Sequence, residues 1–142
     1  MTDLQKAKDC AEAMYASDRA SKSLGIEIEI PAAGSAIASM YVRQEMVNGF
    51  DICHGGLVFT LADTAFAFAC NAYDDVTVAG GGSIEFLRPA VRGELLRATA
   101  KEVHRGRKQG LYEVRVINQD DKLVALFQGR SVSRGEVLLN KD

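Results

Sequence analysis

An aspartate within an apolar segment is the first residue that could do chemistry. Asp63 lies in the stretch from Leu57 to Cys70, where most neighbours are alanine, leucine or phenylalanine. Burying a carboxylate without a partner is costly, so a compensating role is expected. Asp63 either has a functional role, or it caps the helix of a neighbouring chain or pairs with a basic residue. The sequence is compatible with both roles.

Two glycines follow His54 at the start of the same segment. The first amides of a helix have no intrahelical acceptor and lie at the positive end of its dipole. Because Gly55 and Gly56 lack side chains, a thioester carbonyl could approach their amides and be held there as an oxyanion. Alternatively, the glycines only permit a tight turn into the helix.

The spacing between these two features predicts a dimer. Eight residues separate Gly55 from Asp63, which is about 12 Å along a helix. One thioester cannot span that distance. If both groups act on one carbonyl, Asp63 must meet Gly55 of another chain, as in two antiparallel helices related by a two-fold axis near Phe59.

The elements that would position these residues are readable from hydrophobic periodicity. We expect one or two short helices over residues 9–24, and a long core helix over residues 55–72, which is apolar on every side. Alternating patterns predict strands over residues 25–31, 36–43, 76–87, 94–105, 110–118 and 123–133. The last four are expected to form an antiparallel meander. Gly80, Gly81 and Gly82 lie inside one predicted strand, where they would permit bending or close approach, or would form a loop instead.

These elements predict a single α+β domain over residues 1–142, with a curved antiparallel sheet wrapped around the long helix. The segment from Asn48 to Thr64 and the strings ADTAFAFACN, IEFLRP and VALFQG together resemble the hotdog-fold acyl-CoA thioesterases, most closely the phenylacetic-acid-degradation branch. The resemblance runs from Ala13 to Ser133.

That resemblance implies a role for each residue of the site. Asp63 would be the nucleophile or general base, and the Gly55 amide of the neighbouring subunit would polarise the thioester carbonyl. Asn48 and His54 would assist at the reacting centre. From the residues alone, the simpler interpretation of Asn48 is an ordinary turn, and that of His54 is a polar residue at a helix start. The remaining residues expected to bind substrate are Gly56, Thr64, Arg88, Arg105, Arg107 and Lys108. The basic ones are candidates for the phosphates of coenzyme A, although charged turns are often merely solvated.

Composition excludes several other classes of function. The net charge is -2, which gives no overall attraction to nucleic acid or to anionic membrane. Cys10, Cys53 and Cys70 lack the spacing of a zinc site, so a cytoplasmic protein with reduced thiols is expected. Cys53 is not expected to be a nucleophile. No metal or redox cofactor is implied, and coenzyme A enters only as part of the substrate.

The resemblance therefore predicts hydrolysis of phenylacetyl-CoA or hydroxyphenylacetyl-CoA to the free acid and coenzyme A during phenylacetate degradation. It also implies a homotetramer made of two dimers. Two other functions stay open, namely a hotdog hydratase or dehydratase and an acyl-CoA-binding protein without activity.

Overall fold

One antiparallel sheet and one long helix form the centre of the fold. The structure is a computed structural model and describes residues 1–139. The helices are α1 (Asp3–Ala16), α2 (Arg19–Ser23) and α3 (Gly55–Cys70), with a short 3-10 turn at Gln44–Met46. The strands are β1 (Glu27–Ala32), β2 (Ser35–Tyr41), β3 (Thr77–Phe86), β4 (Leu95–Arg105), β5 (Gln109–Ile117) and β6 (Leu123–Ser133). The predicted α+β class is confirmed.

Helix α3 packs on the sheet through a row of small and aromatic side chains. In β2 and β4 most of the buried residues are alanines, and the paired residues Ala38 and Ala98 are fully buried. Small residues at these positions let the helix approach the sheet closely, and larger side chains of α3 then fill the space over β5 and β6. The ring of Phe66 lies 5.5 Å from that of Tyr112 and 5.8 Å from that of Phe127.

The strand order corrects one prediction. The order in the sheet is β1-β2-β4-β5-β6-β3, so β4, β5 and β6 form a meander but β3 does not precede β4 in it. Instead β3 pairs with β6 at the far edge. Helix α3 carries the chain across the sheet from β2 to that edge. Each strand's hydrophobic pattern identifies a strand, but it does not say which strands are neighbours.

Strand β3 is an exposed edge that contains a bulge at its glycines. The register with β6 shifts between Ala79 and Gly81. A Cβ on Gly80 would lie 2.6 Å from atoms of Arg130 and Val132. The Arg130 side chain crosses here and donates a hydrogen bond to the Gly80 carbonyl at 2.7 Å. The glycines therefore keep the strand continuous, as the strand interpretation predicted, and leave its outer edge open.

The chain before the sheet begins with two capped helices. Helix α1 starts earlier than the predicted residue 9 because the Thr2 side chain accepts a hydrogen bond from the Gln5 amide at 3.0 Å and caps it. The Asp18 side chain caps α2 through the Ser21 amide. Among residues 1–139, no helix combines the length and the apolar composition needed to cross a membrane.

Candidate active site

The start of α3 presents two backbone amides that nothing in the described part of the chain occupies. His54 is the N-cap residue, and its side chain makes no capping hydrogen bond. Its carbonyl accepts from the amides of Leu57 and Val58. Among residues 1–139, the amides of Gly55 and Gly56 have no hydrogen-bond acceptor. Two free donors at the positive end of a 16-residue helix form a site for a carbonyl oxygen that gains negative charge.

The loop before the helix fixes the orientation of Asn48. Its Oδ1 accepts hydrogen bonds from the amides of Phe50 at 2.9 Å and Ile52 at 3.3 Å. The backbone N–H of Asn48 in turn donates to the Ile52 carbonyl at 2.8 Å. Because the oxygen is held by its own loop, the Nδ2 group is the part of Asn48 that remains available. Asn48 can therefore donate a hydrogen bond to a substrate or water.

The side chain of His54 lies outside this arrangement. It is exposed to solvent, and its backbone is held by the hydrogen bond from its amide to the Met46 carbonyl at 2.8 Å. It does not line the cleft that contains Asn48 and Gly55. Within one chain, the structure brings Asn48 and Gly55 together but leaves His54 at the surface.

Asp63 is half-buried on α3 without a compensating partner. Among the residues that the structure describes, it forms no hydrogen bond and no salt bridge. Burial raises the pKa of the Asp63 carboxyl above its ordinary value, because water is removed from the charged form. A carboxylate destabilised in this way is a stronger base than an exposed one, which is the property that a catalytic base or nucleophile requires.

One face of α3 is not covered by the sheet of its own chain. Gly56, Thr60, Asp63 and Ala67 recur along this face at helical spacing, and none of them is buried. The Thr60 hydroxyl donates to the Gly56 carbonyl at 2.8 Å, which turns it toward the helix backbone. The helix, predicted to be almost completely wrapped, is therefore open along one stripe, and this stripe carries the aspartate.

A cleft of about 340 Å³ adjoins the start of the helix. Asn48 and Gly55 line it, together with Arg88 and several apolar side chains. Cys53 also lines it, but burial raises the pKa of the Cys53 thiol. A thiol that stays protonated is a poor nucleophile, which supports the prediction that Cys53 does not attack the substrate.

The predicted substrate-binding cations fall into two groups. Arg88 lies at the cleft beside Gly55. Arg105, Arg107 and Lys108 instead lie near Cys70, at the opposite end of α3. Arg105 is held there with its guanidinium carbon 3.8 Å from the centre of the Tyr73 ring. The structure therefore does not gather the four cations in one place within a chain.

The Thr64 side chain is hydrogen-bonded to the backbone of its own helix. The Thr64 hydroxyl donates to the Thr60 carbonyl at 2.6 Å, so its proton is engaged and only its lone pairs remain free. In the described range 1–139, no three histidine, cysteine or acidic side chains cluster as a metal ion would require.

Comparisons with known proteins decide the family. A family model described as the thioesterase superfamily matches residues 50–125. The acyl-coenzyme A thioesterase PaaI of Escherichia coli is 47% identical over 126 residues, which are 89% of this chain and 90% of that protein. This chain belongs to the thioesterase superfamily.

Solved structures of this superfamily agree with the fold. The structure of the E. coli PaaI protein from the phenylacetic acid degradation operon matches with a TM-score of 0.94 and 44% identity, over 96% of this chain and 99% of that one. A mutant of the phenylacetic acid degradation protein PaaI from Thermus thermophilus matches with a TM-score of 0.77 and 34% identity, over 81% and 98% of the two chains. A Streptococcus mutans protein bound to acetyl CoA matches with a TM-score of 0.75 and 25% identity, over 79% and 90%. The predicted hotdog fold is confirmed.

Sequence reasoning missed most of the apolar lining of the cleft in this thioesterase-superfamily chain. Phe86, Val58 and Val124 come from β3, α3 and β6, and only the fold brings them beside Gly55. The string IEFLRP lies in this region, and Arg88 is its one residue among the predicted site residues. Phe86 and Leu87, which precede Arg88, are the sequence signal for the apolar wall.

Proposed function

We propose that this chain is an acyl-CoA thioesterase, and that it acts as a single domain paired with a second copy. The observation that carries the proposal is the combination on one helix of two free amides at its start and an unpaired carboxylate on its open face. Water cleaves the thioester, and the products are a carboxylic acid and the free thiol of coenzyme A. Each of the two groups supplies one part of this reaction.

The open amides stabilise the charge that forms on the carbonyl oxygen. The Gly55 amide lies at the helix start, where the dipole favours negative charge. The Nδ2 group of Asn48 is a further donor at the same cleft. In one route, the Asp63 carboxylate of the other subunit attacks the carbonyl carbon, the thiolate of coenzyme A leaves, and water then hydrolyses the anhydride to the free acid and the Asp63 carboxylate. In the other route, Asp63 removes a proton from a water molecule that attacks the carbonyl carbon, and the thiolate leaves.

A second copy is required because a single α3 keeps these groups apart. The open stripe of α3 and the exposed edge of β3 are the surfaces that the second copy would cover. An uncovered edge strand invites pairing with another chain, and every residue of β3 from Val78 to Ser83 is exposed. On the stripe, Thr60 lies between Gly56 and Asp63 and next to the predicted axis position at Phe59, so a two-fold axis there places each Asp63 near the partner's helix start.

This antiparallel arrangement also supports a role for the distant cations. Arg107 and Lys108 lie at the carboxyl end of α3, and neither has an ion-pair partner within residues 1–139. In an antiparallel pair, that end lies next to the amino end of the partner's helix. Cations there could hold the phosphates of coenzyme A while the thioester lies at Gly55. Binding of acetyl CoA by the S. mutans relative is compatible with such a ligand.

The proposed substrates are phenylacetyl-CoA and hydroxyphenylacetyl-CoA. Support comes from the E. coli relative, which derives from the phenylacetic acid degradation operon and is named an acyl-coenzyme A thioesterase. The proposed assembly is a tetramer of two dimers. Light scattering on the purified chain distinguishes a monomer, a dimer and a tetramer.

The test is release of free thiol from a panel of aromatic and aliphatic acyl-CoA esters. We expect thiol release with all of them and the highest kcat/KM with the phenylacetyl esters. Binding without release of thiol from any ester would contradict the proposal and identify an acyl-CoA-binding protein. Consumption of an enoyl-CoA ester without thiol release would identify a hydratase.

A single turnover in ¹⁸O-labelled water identifies Asp63 as a nucleophile if the label enters its carboxylate. If Asp63 is a base, the label appears in the released acid and never in the protein. If Asp63 is a nucleophile, water that attacks the aspartyl carbonyl of the anhydride leaves the label in the Asp63 carboxylate. Mass spectrometry of the peptide that contains Asp63 reads out the difference.

A further inference from the structure

The cleft beside Gly55 combines a few polar groups with apolar walls. The polar groups are the Gly55 amide, Asn48 and Arg88. The remaining lining includes the apolar side chains of Ile52, Val58, Phe86, Leu87, Ala90 and Val124. Its volume of about 340 Å³ lies in the range of sites that hold small organic groups, and such sites combine apolar walls with a few polar anchors. The distribution suits an acyl group whose carbonyl is anchored at Gly55.

Phe86 is the cleft side chain that lies against the Cβ position of Gly55. The Cζ atom of its ring is 3.1 Å from the position that a Cβ on Gly55 would take. The ring therefore lies directly against the first residue of α3. Phe86 is the last residue of β3, where it pairs with Ala125 of β6.

Val58 and Val124 are buried in the cleft, whereas the Phe86 side chain is only partly covered. Val58 is 3% exposed and Val124 is 1% exposed. The Val124 carbonyl also accepts hydrogen bonds from the amides of Leu87 at 2.8 Å and Arg88 at 3.2 Å. The Phe86 side chain, in contrast, belongs to a residue that is 55% exposed. An aromatic ring that is left half in water next to a binding cleft gains packing when an apolar group enters.

We propose that Phe86 determines acyl-group specificity, with its ring forming the wall against which an aromatic acyl group packs. This inference rests on the proposed thioesterase function and adds the residue that selects the substrate class. A flat ring one methylene away from the carbonyl can pack on Phe86 while the carbonyl oxygen stays at the Gly55 amide. An acetyl group leaves that wall unused. Phe86 thus favours aromatic over short aliphatic esters.

The experiment compares Phe86→Ala and Phe86→Leu with the unmodified protein on phenylacetyl-CoA and acetyl-CoA. We expect the ratio of kcat/KM values, phenylacetyl over acetyl, to fall at least about tenfold in Phe86→Ala. Most of the change should be a higher KM for phenylacetyl-CoA. The ratio for Phe86→Leu should lie between those of Phe86→Ala and the unmodified protein. Tyr41→Ala is the matched control, because Tyr41 is also an exposed aromatic residue on a strand, at 63% exposure, and it should leave the ratio unchanged.

Light scattering on each variant separates an acyl-binding role from an interface role. An unchanged assembly with a reduced ratio supports the proposal. A ratio within twofold of the unmodified protein overturns it, as does conversion of Phe86→Ala to an inactive monomer, which would assign the ring to the subunit interface. If the unmodified protein releases no thiol from either ester, the proposed function itself is wrong, which is a distinct outcome.

Discussion

Gly55 and Asp63 lie on the same helix, eight residues apart, so their backbone positions are separated by about 12 Å along the helix axis. Neither group has a partner in its own chain within residues 1–139. The amide donors of one helix and the carboxylate of a second copy can complement each other. Their separation means that they can meet only between two copies.

Replacing Asp63 by asparagine tests the chemical role of the carboxylate. Asparagine keeps the shape but can neither attack the thioester nor accept a proton. We expect kcat to fall by a factor of about 10² to 10⁴ while acyl-CoA binding survives. Thiol release gives kcat, and calorimetric titration with the product coenzyme A gives binding. Glu29→Gln, which removes an exposed acid on β1, should retain full activity. Equal rates for Asp63→Asn and the unmodified protein would exclude Asp63 from the reaction.

The pH dependence of the rate follows from burial of the same group. Because burial raises the pKa of Asp63 above 3.8, kcat/KM should decline with falling pH at a midpoint above that ordinary value. The raised pKa also means that the folded chain binds this proton more tightly than the unfolded chain does. The free energy of unfolding should therefore fall as pH rises from the ordinary pKa through the raised one, and asparagine at position 63 should remove that dependence.

Two measurements check this prediction. A profile of kcat/KM between about pH 4 and pH 8 locates the catalytic midpoint. Urea unfolding over the same range, with and without Asp63→Asn, locates the stability change. A kinetic midpoint below the ordinary value would mean that the partner's helix start outweighs burial and stabilises the charged form.

Gly56→Ala separates folding from function at the helix start. A Cβ at this position meets nothing within 4 Å in its own chain, and alanine favours a helix over glycine. We expect unchanged or slightly higher stability together with a loss of thiol release of at least about tenfold, since the methyl group occupies the approach to the free amides. Gly49→Ala, which also adds a Cβ to open space, is the control. Full activity in Gly56→Ala would show that neither substrate nor partner approaches this face.

Ser83→Asp tests the edge of β3 as the subunit contact. Each copy then carries a new carboxylate on the edge that the pair would share, and the desolvation and mutual repulsion of these charges oppose pairing. We expect smaller particles in light scattering and a parallel loss of thiol release, both partly reversed at high salt. Lys122→Asp, in the exposed turn before β6, should change neither. An active monomer would disprove the requirement for two chains.

Tyr112→Phe tests a hydrogen-bond cluster that lies away from the site and stabilises the fold. The hydroxyls of Tyr112 and Tyr73 both donate to Glu102 Oε1, at 2.9 Å and 2.7 Å. Removing one donor should lower the free energy of unfolding by about 1 kcal/mol and leave kcat unchanged. Urea unfolding at fixed protein concentration measures the loss. Tyr41→Phe removes an exposed hydroxyl and should cost nothing. A loss of activity in Tyr112→Phe at full stability would give the cluster a role in catalysis.

Local patterns in the sequence were enough to predict the long helix, the strands and several candidate site residues. The apolar run from Leu57 identified α3, and alternation identified the strands, because both signals come from residues a few positions apart. Asp63 and the Gly55-Gly56 pair were recognisable as candidates because each is unusual beside its immediate neighbours. The prediction of a second chain rests on the helical rise between Gly55 and Asp63, together with the expectation that both groups act on one carbonyl.

Only the tertiary structure decided where β3 lies, which cations accompany Gly55 and which apolar walls surround it. Arg88 and Arg105 look alike in sequence, yet they lie at opposite ends of α3. Phe86 meets Gly55 although 31 positions separate them in the chain. Such contacts depend on strand order and on the packing of distant segments, and the periodicity of a single segment carries no information about either.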